Sequence, residues 1–177
     1  MSEEVDINRV FEKIVDDLGG TIQNTNATVE VGDMPKVFGN DGQIYRLFLN
    51  LMSNALKFKR DGVPPAVTVS YSVAAQPEVK AAGFLNPLYA QYHKIEVRDN
   101  GIGFDQEYLS KIFTIFQRLN GRNEFKGTGI GLAICQKIVN NHGGFITAEG
   151  KLDEGATFFV FLPKHNKSTL QWNETLR

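Results

Sequence analysis

Two glycine clusters and a pair of asparagines, in a fixed order along the chain, constrain this sequence more than any other feature. Asn50 and Asn54 stand four residues apart, Asp99–Gly103 holds two glycines, and Gly127–Leu132 holds three. Glycine has no Cβ, so such clusters let backbone N–H groups close around an anion or lie flat against a planar ring. In combination, the three elements predict a nucleotide-binding site.

The composition excludes several classes of protein. With 42% hydrophobic residues and a net charge of −1, the 177 residues suit one globular domain and do not call for a nucleic-acid partner. The single cysteine, Cys135, excludes an internal disulfide framework, and its apolar surroundings favour a packed thiol. No apolar run approaches the roughly 20 residues of a membrane helix, and the acidic start is unlike a signal peptide. We therefore expect a cytoplasmic fragment without membrane contact.

Hydrophobic spacing predicts the order of helices and strands. Apolar residues recur at helical spacing from Ile7 to Leu18, and Gly19-Gly20 is expected to end this helix. The alternating runs around Val69 and Val97 are expected to pair as a long hairpin, with a surface excursion from Ala74 to His93. Further helices are predicted at about 42–59, 106–116 and 132–141, strands at 28–31, 145–149 and 156–162, and an edge strand or turn at 35–37.

Helices followed by paired strands, without strict βαβ alternation, predict an α+β fold. We expect a two-layer sandwich in which helices cover one face of a mixed, mostly antiparallel sheet. One domain over residues 1–163 would be followed by a loosely held tail, 164–177. A Rossmann fold does not fit, because Leu132 stands where the third glycine belongs, and no Gly-Lys-Ser or Gly-Lys-Thr supports a P-loop.

The helix predicted at 42–59 carries the first candidate site residues. Asn50, Asn54 and Lys57 fall at i, i+4 and i+7 and so share one stripe beside the apolar stripe of that helix. Taken alone, such asparagines are more often helix-surface amides bonded to nearby backbone. Beside the glycine clusters, their amide oxygens suit Mg²⁺ shared with phosphate oxygens, and Lys57 can neutralise phosphate charge.

The two glycine clusters carry the remaining chemistry. Asn100-Gly101 alone could be an ordinary turn at a strand end. With a nucleotide present, Asp99 would be a buried carboxylate that accepts the exocyclic amine of adenine, and Gly101 and Gly103 would let the ring approach the backbone. The second cluster leads directly into a helix, whose N-terminal N–H groups can hold phosphates. Its residues are Gly127, Thr128, Gly129, Ile130, Gly131 and Leu132.

Five segments in this order resemble the ATP-binding domains of sensor histidine kinases. They look like the N box, first glycine box, phenylalanine box, second glycine box and last glycine motif of that family. The segments are 50–58, 99–103, 112–118, 127–134 and 155–158. The similarity covers roughly Ile7 to Pro163 and implies the Bergerat fold, an α/β sandwich with a mobile lid over ATP.

The resemblance implies a role for each matching residue. Asn54 and Asn50 would meet Mg²⁺, and Asn50 and Lys57 would act in catalysis. Asp99 would read adenine, and Thr157 would reach the base through water. A lid is expected around 117–126, and Phe113 and Phe116, which precede this segment, would form part of it. Phe125 belongs to it, and its candidate phosphate contacts are Arg118, Arg122 and Lys126. As plain alternatives, Phe113, Phe116 and Phe125 are core anchors of a short helix and Arg122 is a solvated surface residue.

Hydrolytic relatives such as gyrase carry a glutamate that activates water at the position of Asn50, and an amide cannot act as that base. The sequence therefore favours transfer of the γ-phosphoryl group of ATP to a protein. His93, His142 and His165 lack the setting of the family's phosphorylated histidine, so the acceptor is expected on a dimerisation hairpin outside this chain, with a response regulator downstream. His142 is expected at a helix C-terminus and His93 at a strand-end surface. An anti-sigma-type serine kinase and a non-catalytic docking module remain alternatives.

Overall fold

The computed structural model of the protein describes residues 1–114 and 131–166, and its central element is a five-stranded sheet. The strands are β1 Glu3–Asp6, β2 Thr28–Val31, β3 Lys36–Gly39, β4 Ala66–Ala75, β5 Gln91–Asp99, β6 Phe145–Lys151 and β7 Gly155–Pro163. The helices are α1 Ile7–Asp17, α2 Gly19–Thr25, α3 Asp41–Lys57, α4 Gln76–Ala81, α5 Leu109–Ile112 and α6 Gly131–Asn141, with a 3₁₀ turn at Gln106–Tyr108.

The main sheet has the strand order β2-β4-β5-β7-β6. β2 runs parallel to β4, and every other neighbouring pair is antiparallel. The predicted hairpin is confirmed as β4 and β5, in which Val69 lies opposite Val97 and Tyr71 opposite Ile95. β1 and β3 form a separate antiparallel pair. This mixed, mostly antiparallel sheet with packed helices confirms the predicted fold class.

The core lies between one face of the sheet and the helices α1, α3 and α6. Side chains alternate along a strand, so Ile95 and Val97 of β5 and Val160 of β7 point to the same face and are buried there. Phe11 of α1 meets Phe48 of α3 with 4.9 Å between ring centroids. α3 contributes the longest buried stripe: Ile44, Leu47, Phe48, Leu51, Met52, Ala55 and Leu56.

The first helix ends where predicted, at Asp17 with Leu18 as its C-cap, but Gly19-Gly20 directly begins a second helix, α2, which was not predicted. The left-handed residue that closes this segment is Asn26, with φ of 54°. The helix expected at 106–116 is a 3₁₀ turn followed by α5, which ends at Ile112. β1, at the acidic start of the chain, was not predicted.

The excursion between β4 and β5 packs on the other face of the sheet. α4 places Val79 against Ala74, Tyr92 and Phe161, which point away from the main core. Gln76 donates from Nε2 to the carbonyl oxygen of Pro87 at 2.9 Å and so holds the rest of the excursion in place. The segment expected to be a surface loop therefore has a small core of its own.

The predicted tail begins with packed residues. The N–H group of Lys164 donates to the carbonyl oxygen of Gln91 at 3.0 Å. The ring of His165 lies edge-on to Tyr89, with 5.0 Å between centroids. Residues 164 and 165 thus continue the packing of β7, and residues 167–177 lie outside the described residues.

Candidate nucleotide-binding site

The stripe that carries Asn50, Asn54 and Lys57 lies on α3. This helix begins at a true cap, since Asn40 Oδ1 accepts from the Gln43 N–H group at 2.9 Å. The three polar side chains are half-buried at the border of the core, as the helical spacing predicted. The Lys57 ammonium lies 5.3 Å from the ring centroid of Phe58, the residue that follows the helix.

Asn50 faces the first turn of α6. Its Nδ2 atom lies 3.5 Å from the carbonyl oxygen of Gly131, so the amide is oriented by the end of the second glycine cluster. One turn further along α6, the Cys135 thiol donates to the carbonyl oxygen of Leu47 at 3.6 Å. Burial raises the pKa of Cys135 to about 12, which confirms a packed and unreactive thiol. The structure therefore brings Asn50 to Gly131, the last glycine of the second cluster, while Leu132 packs against the hydrophobic core.

Asp99 ends β5 and is held by two backbone donors. Its Oδ1 atom accepts from the N–H groups of Gly101 at 2.8 Å and of Ala156 at 3.3 Å. Burial raises the pKa of this carboxyl to about 6, although the same two hydrogen bonds act to lower it. A half-buried carboxylate whose Oδ1 is already engaged can present Oδ2 to a donor such as the amine of adenine.

The loop from Gly101 to Gly103 passes very close to other backbone. A Cβ on Gly101 would lie 2.2 Å from the carbonyl oxygen of Phe58, and one on Gly103 would lie 2.0 Å from that of Lys151. Gly103 also has φ of 63°, in the left-handed region. The sequence predicted that these glycines let the adenine ring approach the backbone. In the structure, glycine is required at both positions because the protein's own backbone leaves no room for a Cβ.

Thr157 is not brought to the carboxylate. The register of β5 and β7 places Thr157 opposite Arg98 and Ala156 opposite Asp99. Since side chains alternate along a strand, Thr157 lies on the face away from the main core, while Asp99 lies on the face of Ile95 and Val97. The neighbour that the sequence interpretation missed is Ala156, which acts through its backbone N–H group.

The histidines occupy structural positions. His142 follows α6 as expected, and it accepts from the Asn40 N–H group at Nε2, 3.0 Å away, while Nδ1 lies 2.7 Å from the carbonyl oxygen of Ile138. His93 does not lie at a surface, because it is buried within β5 beside the Tyr71 hydroxyl at 2.8 Å. Burial, together with Lys164 and His165, lowers the pKa of His93 to about 4.

Phe113 belongs to the core. It is buried and meets Phe158 edge-on, with 6.3 Å between ring centroids, which agrees with its alternative role as a core anchor. The rest of the expected lid and phosphate contacts lie outside the described residues. These are Phe116, Arg118, Arg122, Phe125, Lys126, Gly127, Thr128, Gly129 and Ile130.

The side chains that the structure offers to a metal are amides. In residues 1–114 and 131–166, no group of three or more histidine, cysteine or acidic side chains could hold a metal ion. Asn50 and Asn54 supply neutral oxygens from one helix stripe, which fits a hard cation that keeps waters and shares phosphate oxygens. None of the helices in these ranges has the length and apolarity needed to cross a membrane.

Comparison with known proteins gives a family match over most of the chain. Residues 39–166 match the model described as "Histidine kinase-, DNA gyrase B-, and HSP90-like ATPase". The phytochrome-like protein Cph1 of Synechocystis sp. is 37% identical over 91% of this chain and 19% of its own length. The adaptive-response sensory kinase SasA of Prochlorococcus marinus is 34% identical over 77% of this chain and 32% of its own length. The chain thus spans between a fifth and a third of these relatives.

A solved structure shares the fold. Full-length ShkA, crystallised in complex with AMPPNP, aligns with 92% of this chain and 31% of its own chain, with a TM-score of 0.70 and 22% sequence identity. The match supports the architecture described above.

Proposed function

Because this chain belongs to the histidine kinase-, DNA gyrase B- and HSP90-like ATPase family and is homologous to sensor kinases, we propose that it is the ATP-binding catalytic domain of a sensor histidine kinase. In this proposal it transfers the γ-phosphoryl group of ATP to a histidine on a separate dimerisation hairpin. A response regulator would receive the group in turn, and the domain would work in the cytoplasm.

The observation that carries the proposal is the chemical identity and orientation of Asn50. Its Nδ2 atom is engaged by the Gly131 carbonyl oxygen, so the side chain is held as an oriented amide at the place where hydrolytic relatives need a carboxylate. An amide does not take a proton from water at neutral pH. The site is therefore suited to binding and orienting ATP while another protein group attacks the phosphorus.

In this proposal, each candidate residue at the site has a part in the reaction. The Asp99 carboxylate would accept a hydrogen bond from the amine of adenine. GTP would instead present a carbonyl oxygen, which has no proton to donate to this carboxylate. Asn54 and Asn50 would hold Mg²⁺, which neutralises phosphate charge when bound. Lys57 would add a positive charge beside the transferring group. Phosphoryl transfer demands little covalent chemistry of the protein, so positioning and charge neutralisation supply most of the catalysis.

The proposed transfer of the γ-phosphoryl group needs no base on this chain. The bond between the γ-phosphorus and its bridging oxygen would break, and that oxygen would leave as part of ADP with the bonding electron pair. A new bond would form from the lone pair of an imidazole nitrogen of the hairpin to the phosphorus. The imidazole proton passes to solvent. The predicted lid would exclude water during this step, which protects the phosphoryl group from hydrolysis.

A transfer assay tests the proposal. The chain is mixed with γ-labelled ATP, Mg²⁺ and a separately expressed hairpin from its own full-length protein. We expect acid-labile, base-stable label on the hairpin, little label on the chain itself and little free phosphate. Lys57→Ala should lose the transfer, while Lys137→Ala, which removes a lysine near the middle of α6, should keep it.

Two outcomes would contradict the proposal. Acid-stable label on a protein substrate would indicate serine chemistry and an anti-sigma-type kinase. Firm ATP binding with no transfer to the hairpin would favour a docking module.

A further inference from the structure

Asn100 ties the loop after Asp99 to the connection between α3 and β4. Its Oδ1 atom accepts from the Ala66 N–H group at 2.8 Å, and its Nδ2 atom donates to the Pro64 carbonyl oxygen at 3.2 Å. Its own carbonyl oxygen accepts from Nε of Arg60 at 2.8 Å. The three partners, Arg60, Pro64 and Ala66, lie between the end of α3 and the first residue of β4, so the glycine loop is attached to this connection at three points.

A fourth bond joins the same two segments two residues further along, at Ile102. The Ile102 N–H group donates to the Phe58 carbonyl oxygen at 2.9 Å, directly after the last residue of α3. Gly101 lies between these attachments and fits only because it has no Cβ. The position of Asp99, which the sheet already holds at the end of β5, is thus tied to the last turn of α3 by a short, fully bonded path as well.

This path connects the two halves of the candidate site. Asp99 stands at one end of it, and Asn54 and Lys57 stand at the other. A ligand that spans both halves gains affinity when the halves are held at the right separation, since a fixed geometry lowers the entropy lost on binding. A ligand that touches only one half gains nothing from it.

We propose that Arg60 and Asn100 are positioning residues for the nucleotide: they fix the separation between the carboxylate that reads adenine and the helix that meets the phosphates and metal. This inference rests on the proposed function. In this proposal, neither Arg60 nor Asn100 contacts the nucleotide. The Arg60 bond is charge-assisted, and both side chains are half-buried, so water competes weakly for these hydrogen bonds.

The test compares a spanning ligand with a short one. Affinities for ATP with Mg²⁺ and for adenosine alone are measured by titration with amide chemical shifts as the signal. Asn100→Ala and Arg60→Ala should each weaken ATP binding about tenfold and leave adenosine binding within about twofold. Arg60→Lys should restore most of the ATP affinity, because its ammonium group can still donate to the Asn100 carbonyl oxygen.

Matched controls remove the same side-chain types elsewhere. Arg98→Ala takes away an exposed arginine two residues before Asn100, and Asn140→Ala takes away an exposed asparagine near the end of α6. Neither should change either affinity. Thermal unfolding is followed for all variants, and if Asn100→Ala does not fold, Arg60→Ala and Arg60→Lys decide the question alone.

Two results would overturn the inference. Unchanged ATP affinity in both alanine variants would mean that the attachment has no role in binding. Equal weakening of ATP and adenosine would mean that it supports the adenine end only and does not set a separation. Asp99→Ala is measured alongside: if it binds adenosine as well as the unaltered protein, the adenine placement in the proposed function fails, which is a different outcome from either of these.

Discussion

The two ends of the candidate site are built in different ways. At the end proposed to hold the phosphates, the phosphate end, Asn50, Asn54 and Lys57 project from a regular helix, and their positions follow from the helical period alone. At the end proposed to hold adenine, the adenine end, Asp99 is fixed by a loop that fits between the backbone of Phe58 and that of Lys151. The first end should tolerate changes in its side chains without loss of fold, whereas the second combines folding and recognition in the same few atoms.

The largest effect is expected from adding a single methyl group to the loop. Gly101→Ala would place a Cβ 2.2 Å from the Phe58 carbonyl oxygen, a contact that only a backbone shift can relieve. We expect a loss of about 3 kcal/mol or more in the free energy of unfolding, measured by urea denaturation. Gly19→Ala is the control, since a Cβ there meets nothing within 4 Å and the residue begins a helix. Equal stability of the two variants would show that the loop is not packed as described.

The next largest effect is expected on the affinity for ATP. Asp99→Ala removes the half-buried acceptor and should weaken ATP binding by about 1 to 3 kcal/mol, measured by calorimetry. Asp99→Asn keeps an oxygen acceptor and should lose less. GTP should bind poorly to the unaltered protein. Strong ATP binding by Asp99→Ala would mean that adenine lies elsewhere and that the contrast between the two ends is misplaced.

The raised pKa of Asp99 gives the proposed adenine end a pH dependence of its own. Protonation below pH about 6 removes the charged acceptor, so ATP affinity should fall by up to about tenfold per pH unit there. Stability should move the other way: because the pKa in the folded protein lies above the ordinary carboxyl value of 3.8, the contribution of Asp99 is fully present below pH 3.8 and is lost as the pH rises through 6. Asp99→Asn should abolish both trends, and a pH-independent difference between the two proteins would contradict the assignment.

The smallest effect is expected at the phosphate end. Asn54→Ala should leave the fold unchanged and remove most of the Mg²⁺-dependent gain in ATP affinity, which we expect to be about five- to tenfold. Titrations with and without Mg²⁺ measure this gain in the variant, in the unaltered protein and in Asn140→Ala as a control. The same Mg²⁺ dependence in all three would remove Asn54 from the metal site.

The sequence predicted the regular parts of this protein well. The polar stripe of α3, the β4–β5 hairpin and the closing strands follow from periods of 3.6 and 2 residues, which any one segment displays without its neighbours. The failures occur where no period operates. The end of α1 before Gly19-Gly20 was predicted, but α2, which begins at these glycines and is closed by Asn26 in the left-handed conformation, was not.

What the sequence determined by itself is the set of chemical groups and their order: amides on a helix, a carboxylate at a strand end, and glycines around it. What only the tertiary structure decided is how those groups meet. The register of β7 against β5 selected Ala156 rather than Thr157 as the neighbour of Asp99, and a one-residue difference on a strand exchanges the two faces of the sheet. The roles of Asn100 and Arg60 depend on contacts 34 and 40 residues apart in the chain, which no local pattern records, because such contacts arise only when separate segments pack together.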